Sequence, residues 1–183
     1  MNTALSAWSN FYVITGGSAG ALTGLTFVVI TLIAGSRNRA GASEIGVGTF
    51  TSPTVVDFCV ALYVSAALSA PWQFTEHASI AVRLGALFGI VYELLVATRM
   101  LHLTRAGRDY RPGWDDWLRY VAGPLAGYGL ILGGALAMST ATTTAMFVIA
   151  AGTLVLIFAG IHNAWDVVTY LAITQAGEDD GAS

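Results

Sequence analysis

The sequence predicts an all-α integral membrane bundle of five transmembrane helices, with the N-terminus outside and the C-terminus in the cytoplasm. Three observations carry that expectation. Hydrophobic residues make up 55% of the 183 and charged residues 10%, with a mean hydropathy of +0.67; a soluble domain carries about a quarter charged residues. Five apolar runs recur, each near the ~20 residues that cross a hydrocarbon core of about 30 Å. The basic residues are unevenly placed, all eight being Arg. Seven of them (Arg37, Arg39, Arg99, Arg105, Arg108, Arg111, Arg119) fall in or beside the first and third loops. The positive-inside rule puts those loops in the cytoplasm. The composition suits the plasma (inner) membrane of a bacterium with a GC-rich genome.

The first span is expected at residues 11–34. No basic n-region and no small-residue cleavage site mark it as a signal peptide, so it reads as a retained span. Trp8 and Tyr12 are placed for the membrane interface. Gly16, Gly20 and Gly24 repeat every four residues and form a stripe along which helix backbones can approach closely. Thr15, Ser18, Thr23, Thr26 and Thr31 supply hydroxyls that bond back to their own helix or across to a neighbour. Ser36 to Thr51 reads as a polar, Gly-rich loop. It lacks the G-x-x-x-x-G-K spacing of a phosphate cradle.

The second span, 52–72, opens on Ser52-Pro53-Thr54, a hydroxyl cap with Pro in the first turn. A short loop carries Glu76 and His77. In the third span, 80–101, Arg83 and Arg99 stand far enough apart to snorkel to opposite surfaces. The fourth, 117–138, contains Pro124, which frees the carbonyl of Tyr120 and predicts a kink. It also has a second small-residue series, Gly123, Gly127 and Gly134. Ser139 to Thr143 allows only an antiparallel hairpin into the fifth span, 144–170. Residues 1–173 therefore form one membrane domain, and 174–183 an acidic, disordered tail. No internal repeat is present, so an inverted-repeat transporter is not indicated.

Function is sought in the polar residues within the spans, because ionisable groups in hydrocarbon need partners or a purpose. Asp57, Glu93, His162 and Asp166 come from three spans and share the cytoplasmic half of the membrane; Asn163 flanks the last two. Three readings compete. As structural ion pairs, Asp57 and Glu93 would meet Arg99, Asp166 would meet Arg119, and Asn163 would cap a carbonyl; the protein is then an accessory or scaffold subunit. As an ion or proton pathway, Glu93 and Asp166 would coordinate a small cation or relay a proton. His162 would orient them and respond to pH, and Asp57 would charge the inner mouth. As a metal-dependent enzyme, His162 and Asp166, with Glu93 or Asp57 completing the shell, would ligate a metal such as Mn or Fe.

The enzyme reading lacks an H-E-x-x-H motif and a nucleophile. Gly16-Gly17-Ser18-Ala19-Gly20 has the G-x-S-x-G spacing. It lies inside a predicted helix at the opposite face from His162, so a hydrolase is not supported. A bis-His haem is not supported either, because His77 and His102 are not placed to share it with His162. Cys59 is the single cysteine, which excludes an intrachain disulfide and a cysteine metal site. The Arg loops give nucleic acid no independent support, since topology and anionic headgroups account for them. A 19.1 kDa chain cannot easily enclose a pathway alone. A homo-oligomer in the lipid bilayer, joined through the glycine series, is therefore the expected assembly.

Overall fold

The computed structural model describes residues 3–40, 45–105 and 117–180. After one helical turn at Thr3–Ser6, five long helices follow: α1 Ser9–Ala40, α2 Ile45–Ser69, α3 Thr75–Arg105, α4 Leu118–Ala137 and α5 Thr142–Asp180. No strand occurs among the described residues. Ser9–Thr31, Thr75–His102, Leu118–Ala137 and Thr142–Asp166 are each long and apolar enough to cross a membrane, and Pro53–Ser69 adds a shorter apolar stretch. The chain is a small multi-pass membrane protein built as a five-helix bundle.

The helices divide into a ring and an outrider. α2 packs on α3, α3 on α4, α4 on α5 and α5 back on α2, while α1 lies outside against α2 and, more lightly, α5. Neighbours around the ring run antiparallel, as their paired contacts show: Tyr63 with Gly85, Ser79 with Ala135 and Tyr128 with Gly89, Gly134 with Ile149 and Gly127 with Leu156, and Phe58 with Gly160. The α4–α5 pair is the most intimate because glycines remove the side chains between the backbones. A methyl group on Gly134 would come within 2.9 Å of the Ala145 carbonyl, and one on Gly152 within 2.6 Å of the Gly127 carbonyl. Such contact replaces the hydrophobic drive that lipid does not supply. On α1, Gly16 faces Ser65 and Gly20 faces Leu62, but Gly24 opens onto empty space.

Several local expectations are revised. Helix occupies both ends of the expected 36–51 loop, leaving only 41–44 outside the described residues, and Pro53 sits inside α2 instead of near its start. Glycines in a helix cost only about 1 kcal/mol each relative to alanine, which is not enough to break one here. α3 begins at Thr75, so Glu76 belongs to its first turn, where a negative charge suits the helix dipole. α5 continues to Asp180, through the first residues of the expected tail. Tyr12 is 1% exposed and its hydroxyl donates to the Met146 carbonyl, so it is packed between α1 and the start of α5. Trp8 stacks edge-on against Phe11 and Phe147. Arg83 turns back to donate to the Ala135 carbonyl (3.4 Å) near the end of α4, a carbonyl that the Ser79 hydroxyl also meets at 2.6 Å. Pro124 acts through the turn before it. Leu118–Ala122 form a π-helical turn, and the Gly123 N–H bonds the Leu118 carbonyl. The lost bond is absorbed by widening the helix.

The hydroxyls behave as their spacing implies. Thr23, Thr26 and Thr31 each donate to the carbonyl four residues back, and Thr15 also meets Ser65 on α2 at 3.1 Å.

Candidate functional site

Each helix of the ring carries one large polar side chain that is essentially fully buried. Asp57 on α2, Glu93 on α3 and Tyr128 on α4 are 0% exposed, and Asn163 on α5 is 1% exposed. Close contacts fix their relative heights. Phe58 lies over Gly160, so equal steps along the antiparallel α2 and α5 bring Asn163 level with residue 55. Tyr63 lies over Gly85, and the same stepping brings Glu93 level with residue 55. Thr54 and Asp57, one turn apart on α2, bracket that height. Tyr128 reaches the layer from the side. Its ring rests on the bare backbone of Gly89, one turn from Glu93, and its hydroxyl donates to Asp57 Oδ1 at 2.6 Å. Any side chain at Gly89 would occupy the place of that ring.

The layer is under-satisfied. Asp57 Oδ2, both carboxylate oxygens of Glu93, both amide atoms of Asn163 and Thr54 Oγ1 are buried without a hydrogen-bond partner. Glu93 lies within electrostatic reach of Asp57 and of Tyr128. Among the described residues, the ion pairs involve Asp166 and not these two carboxylates. Two acidic groups thus influence one another in an apolar bundle, with one phenol bonded to Asp57 and, among the described residues, no counter-ion on either. The layer is closed on the α3–α4 side by Val96, Met100, Tyr120 and Val121. On the other side lies the larger apolar core around Val64, Ile131 and Ile149.

His162 and Asp166 do not join this layer. They project from α5 with side chains 50% and 36% exposed, His162 Nε2 standing 3.6 Å from Asp166 Oδ2. Arg119 Nη1 donates to the same oxygen at 3.3 Å. The expected pairing of Asp166 with Arg119 is therefore present, whereas Asp57 and Glu93 are found without Arg99, which is exposed. Asn163 caps no carbonyl. Among the described residues no three His, Cys, Asp or Glu side chains are grouped to hold a metal, so His162, Asp166 and Glu93 do not form one ligand set.

Two members of the layer, Tyr128 and Thr54, were not singled out from the sequence. The usable signal was Tyr128 standing between Gly127 and Gly129 in mid-span, an aromatic far from either interface, where a buried phenol needs an acceptor. A half-open apolar cleft of about 100 Å³ between α1, α2 and α5 is lined by Leu22, Leu25, Thr26, Thr54, Phe58 and Ala164, among others. It places Thr54 beside the residue that follows Asn163. No family model matches the chain, and neither a curated protein nor a solved structure does.

Proposed function

We propose that the protein moves a proton or a small cation across the membrane, with Glu93 and Asp57 as the groups that take up the charge. One observation carries the reading: Glu93 is fully buried with both oxygens unpartnered and, among the described residues, no ion pair to a cation, beside a second buried carboxylate. A carboxylate in a low-dielectric interior is tolerated only when a counter-ion, a bound cation or a proton neutralises it. Structural glue would have supplied an arginine, as it does for Asp166. The apolar cluster on α3 and α4 and the larger core beyond the layer favour an occluded site, and transport then requires the helices to part on one side at a time.

His162, Asp166 and Arg119 have a different role in this reading. They lie on the exposed side of α5 and α4, and the excess of arginine in the sequence at that end supports, by the positive-inside rule, a cytoplasmic location for it, with the N-terminus outside in a plasma membrane. Self-association remains part of the proposal. Gly129 and Gly133 on α4 face outward with nothing near their missing side chains, a small-xxx-small face that suits a second copy. A strictly monomeric mass in both mild detergent and native lipid would remove the oligomer from the proposal.

The test of the function is a proteoliposome flux assay for H⁺, Na⁺, K⁺ and divalent cations, with imposed voltage and pH gradients. Wild type should exceed empty vesicles, and Glu93→Gln should return flux to their level. An accessory or scaffold subunit would give no flux with either protein, and that result would retire the transport reading.

A further inference from the structure

We infer that the polar layer of the helix ring is a coordination site for a dehydrated, sodium-sized monovalent cation that exchanges with one proton. The inference rests on the transport reading above and names its substrate. Bare proton transfer needs only the two carboxyl groups. It leaves no use for the Asn163 amide and the Thr54 hydroxyl, both 1% exposed and both without a partner. A buried polar group without a hydrogen bond is destabilising, and two of them at the height of two unpaired carboxylates is more than packing requires.

A cation that leaves its water behind needs a shell of oxygens, and this layer offers one. Thr54 Oγ1, Asp57 Oδ2, Glu93 Oε1 and Oε2, and Asn163 Oδ1 are the buried, unpartnered oxygens. They come from three of the four ring helices, and the fourth holds Asp57 Oδ1 through Tyr128. The donors are all oxygen, with no sulfur or imidazole, which selects a hard ion. Calcium takes six to eight oxygens and magnesium keeps several of its waters. Five free oxygens between apolar caps suit a smaller demand. Charge balance points the same way. One monovalent cation on one carboxylate and one proton on the other leave the layer neutral. Cation entry with loss of the proton from Glu93, or from Asp57, keeps that balance at one for one.

Among the described residues, the titratable groups that bear on Glu93 are few. Asp57 faces it from α2 and Tyr128 from α4, with Tyr92 beside it on α3. His162 and Asp166 of α5 are turned outward. Competition between cation and proton is therefore set within the layer, and acidification should weaken cation binding.

The experiment measures thermal unfolding of the full chain in mild detergent. Sodium chloride is titrated against choline chloride at constant ionic strength, at acid and at alkaline pH, with arms for K⁺, Mg²⁺ and Ca²⁺. A ligand that binds only the folded state raises the midpoint with its concentration. We expect a saturable rise with Na⁺, a higher half-saturating concentration at acid pH, and none of it in Glu93→Gln. Asn163→Ala should raise the half-saturating concentration about tenfold, the scale of one lost coordinating contact. Its midpoint in choline is the baseline from which the sodium-dependent rise is read, so that the cavity left by truncation is separated from the loss of sodium binding. Thr54→Val, which keeps the shape and removes the hydroxyl, gives the same readout if Asn163→Ala does not fold. A merely structural layer predicts unchanged sodium binding, or none, in all variants. Absence of a sodium-specific rise, or a rise caused equally by calcium or magnesium, overturns the inference. Glu93-dependent proton flux without that rise would leave the transport reading standing with a proton alone. Loss of both effects would remove the two together.

Discussion

Two acidic sites on this molecule have the same chemistry and opposite surroundings. Asp166 projects from the outer face of α5 and has both His162 and Arg119 at its carboxylate. Asp57 and Glu93 point into the helix ring and share only the phenol of Tyr128 on Asp57. The exposed acid is paired and the buried acids are not, the reverse of what stability alone would favour. A charge near headgroups or water is cheap to leave unpaired, and its salt bridge contributes little. In the interior an unpartnered carboxylate is expensive. Under the proposed function the inner arrangement is a place for a charge that comes and goes, while the outer one is ordinary surface pairing.

The largest expected effect breaks this comparison directly. Glu93→Gln should abolish flux in proteoliposomes, whereas His162→Ala should leave it within about twofold, since an exposed i,i+4 pair is worth only a few tenths of a kcal/mol. Equal losses in the two variants would mean that the inner and outer groups act as one pathway, and the distinction drawn here would fail.

A smaller effect is expected at Tyr128. Tyr128→Phe keeps the ring over Gly89 but removes the donor to Asp57 Oδ1, leaving both oxygens of that carboxylate unpartnered. Loss of a buried hydrogen bond to a carboxylate costs about 1–3 kcal/mol, measurable as reduced resistance to denaturant in detergent micelles. The bond also holds Asp57 toward α4, so flux should fall without vanishing. Unchanged stability would show that Asp57 does not depend on the hydrogen bond from this phenol.

The fold was readable because its cause is compositional: apolar runs of membrane length leave a helix as the only way to satisfy every backbone group. Helix ends were less readable. Gly46 and Gly48 read as loop signals yet lie within α2, because propensity is a weak prior once neighbouring apolar turns continue the helix. The site was half legible. Asp57, Glu93 and Asn163 stand out as polar letters in apolar runs, but so do His162 and Asp166, and depth alone merges them. Which face of α5 each residue occupies depends on packing: Gly160 admits Phe58 and turns Asn163 inward, leaving His162 outside. Tyr128 was hidden for a related reason. Its meaning depends on Gly89, thirty-nine positions away in the chain, whose missing side chain leaves room for the ring.

The smallest expected effect is at Arg119. Its guanidinium meets Asp166 at 3.3 Å, but the side chains are 45% and 36% exposed, so the attraction is screened and both ends have alternative partners in water or headgroups. Arg119→Ala should lower stability by less than about 1 kcal/mol, below the cost of Tyr128→Phe, and leave flux unchanged. Removing Asp166 instead should cost no more, because Arg119 and His162 then remain near the surface as solvated groups. Arg119→Glu is more demanding: it sets like charges beside one another and removes a positive residue from the end proposed to be cytoplasmic. Its penalty should shrink as salt is added, because exposed charges are screened within about 10 Å at 0.1 M salt. A salt-insensitive loss in Arg119→Ala, larger than that of Tyr128→Phe, would place the outer pair in a buried environment and reverse the ranking of the two sites.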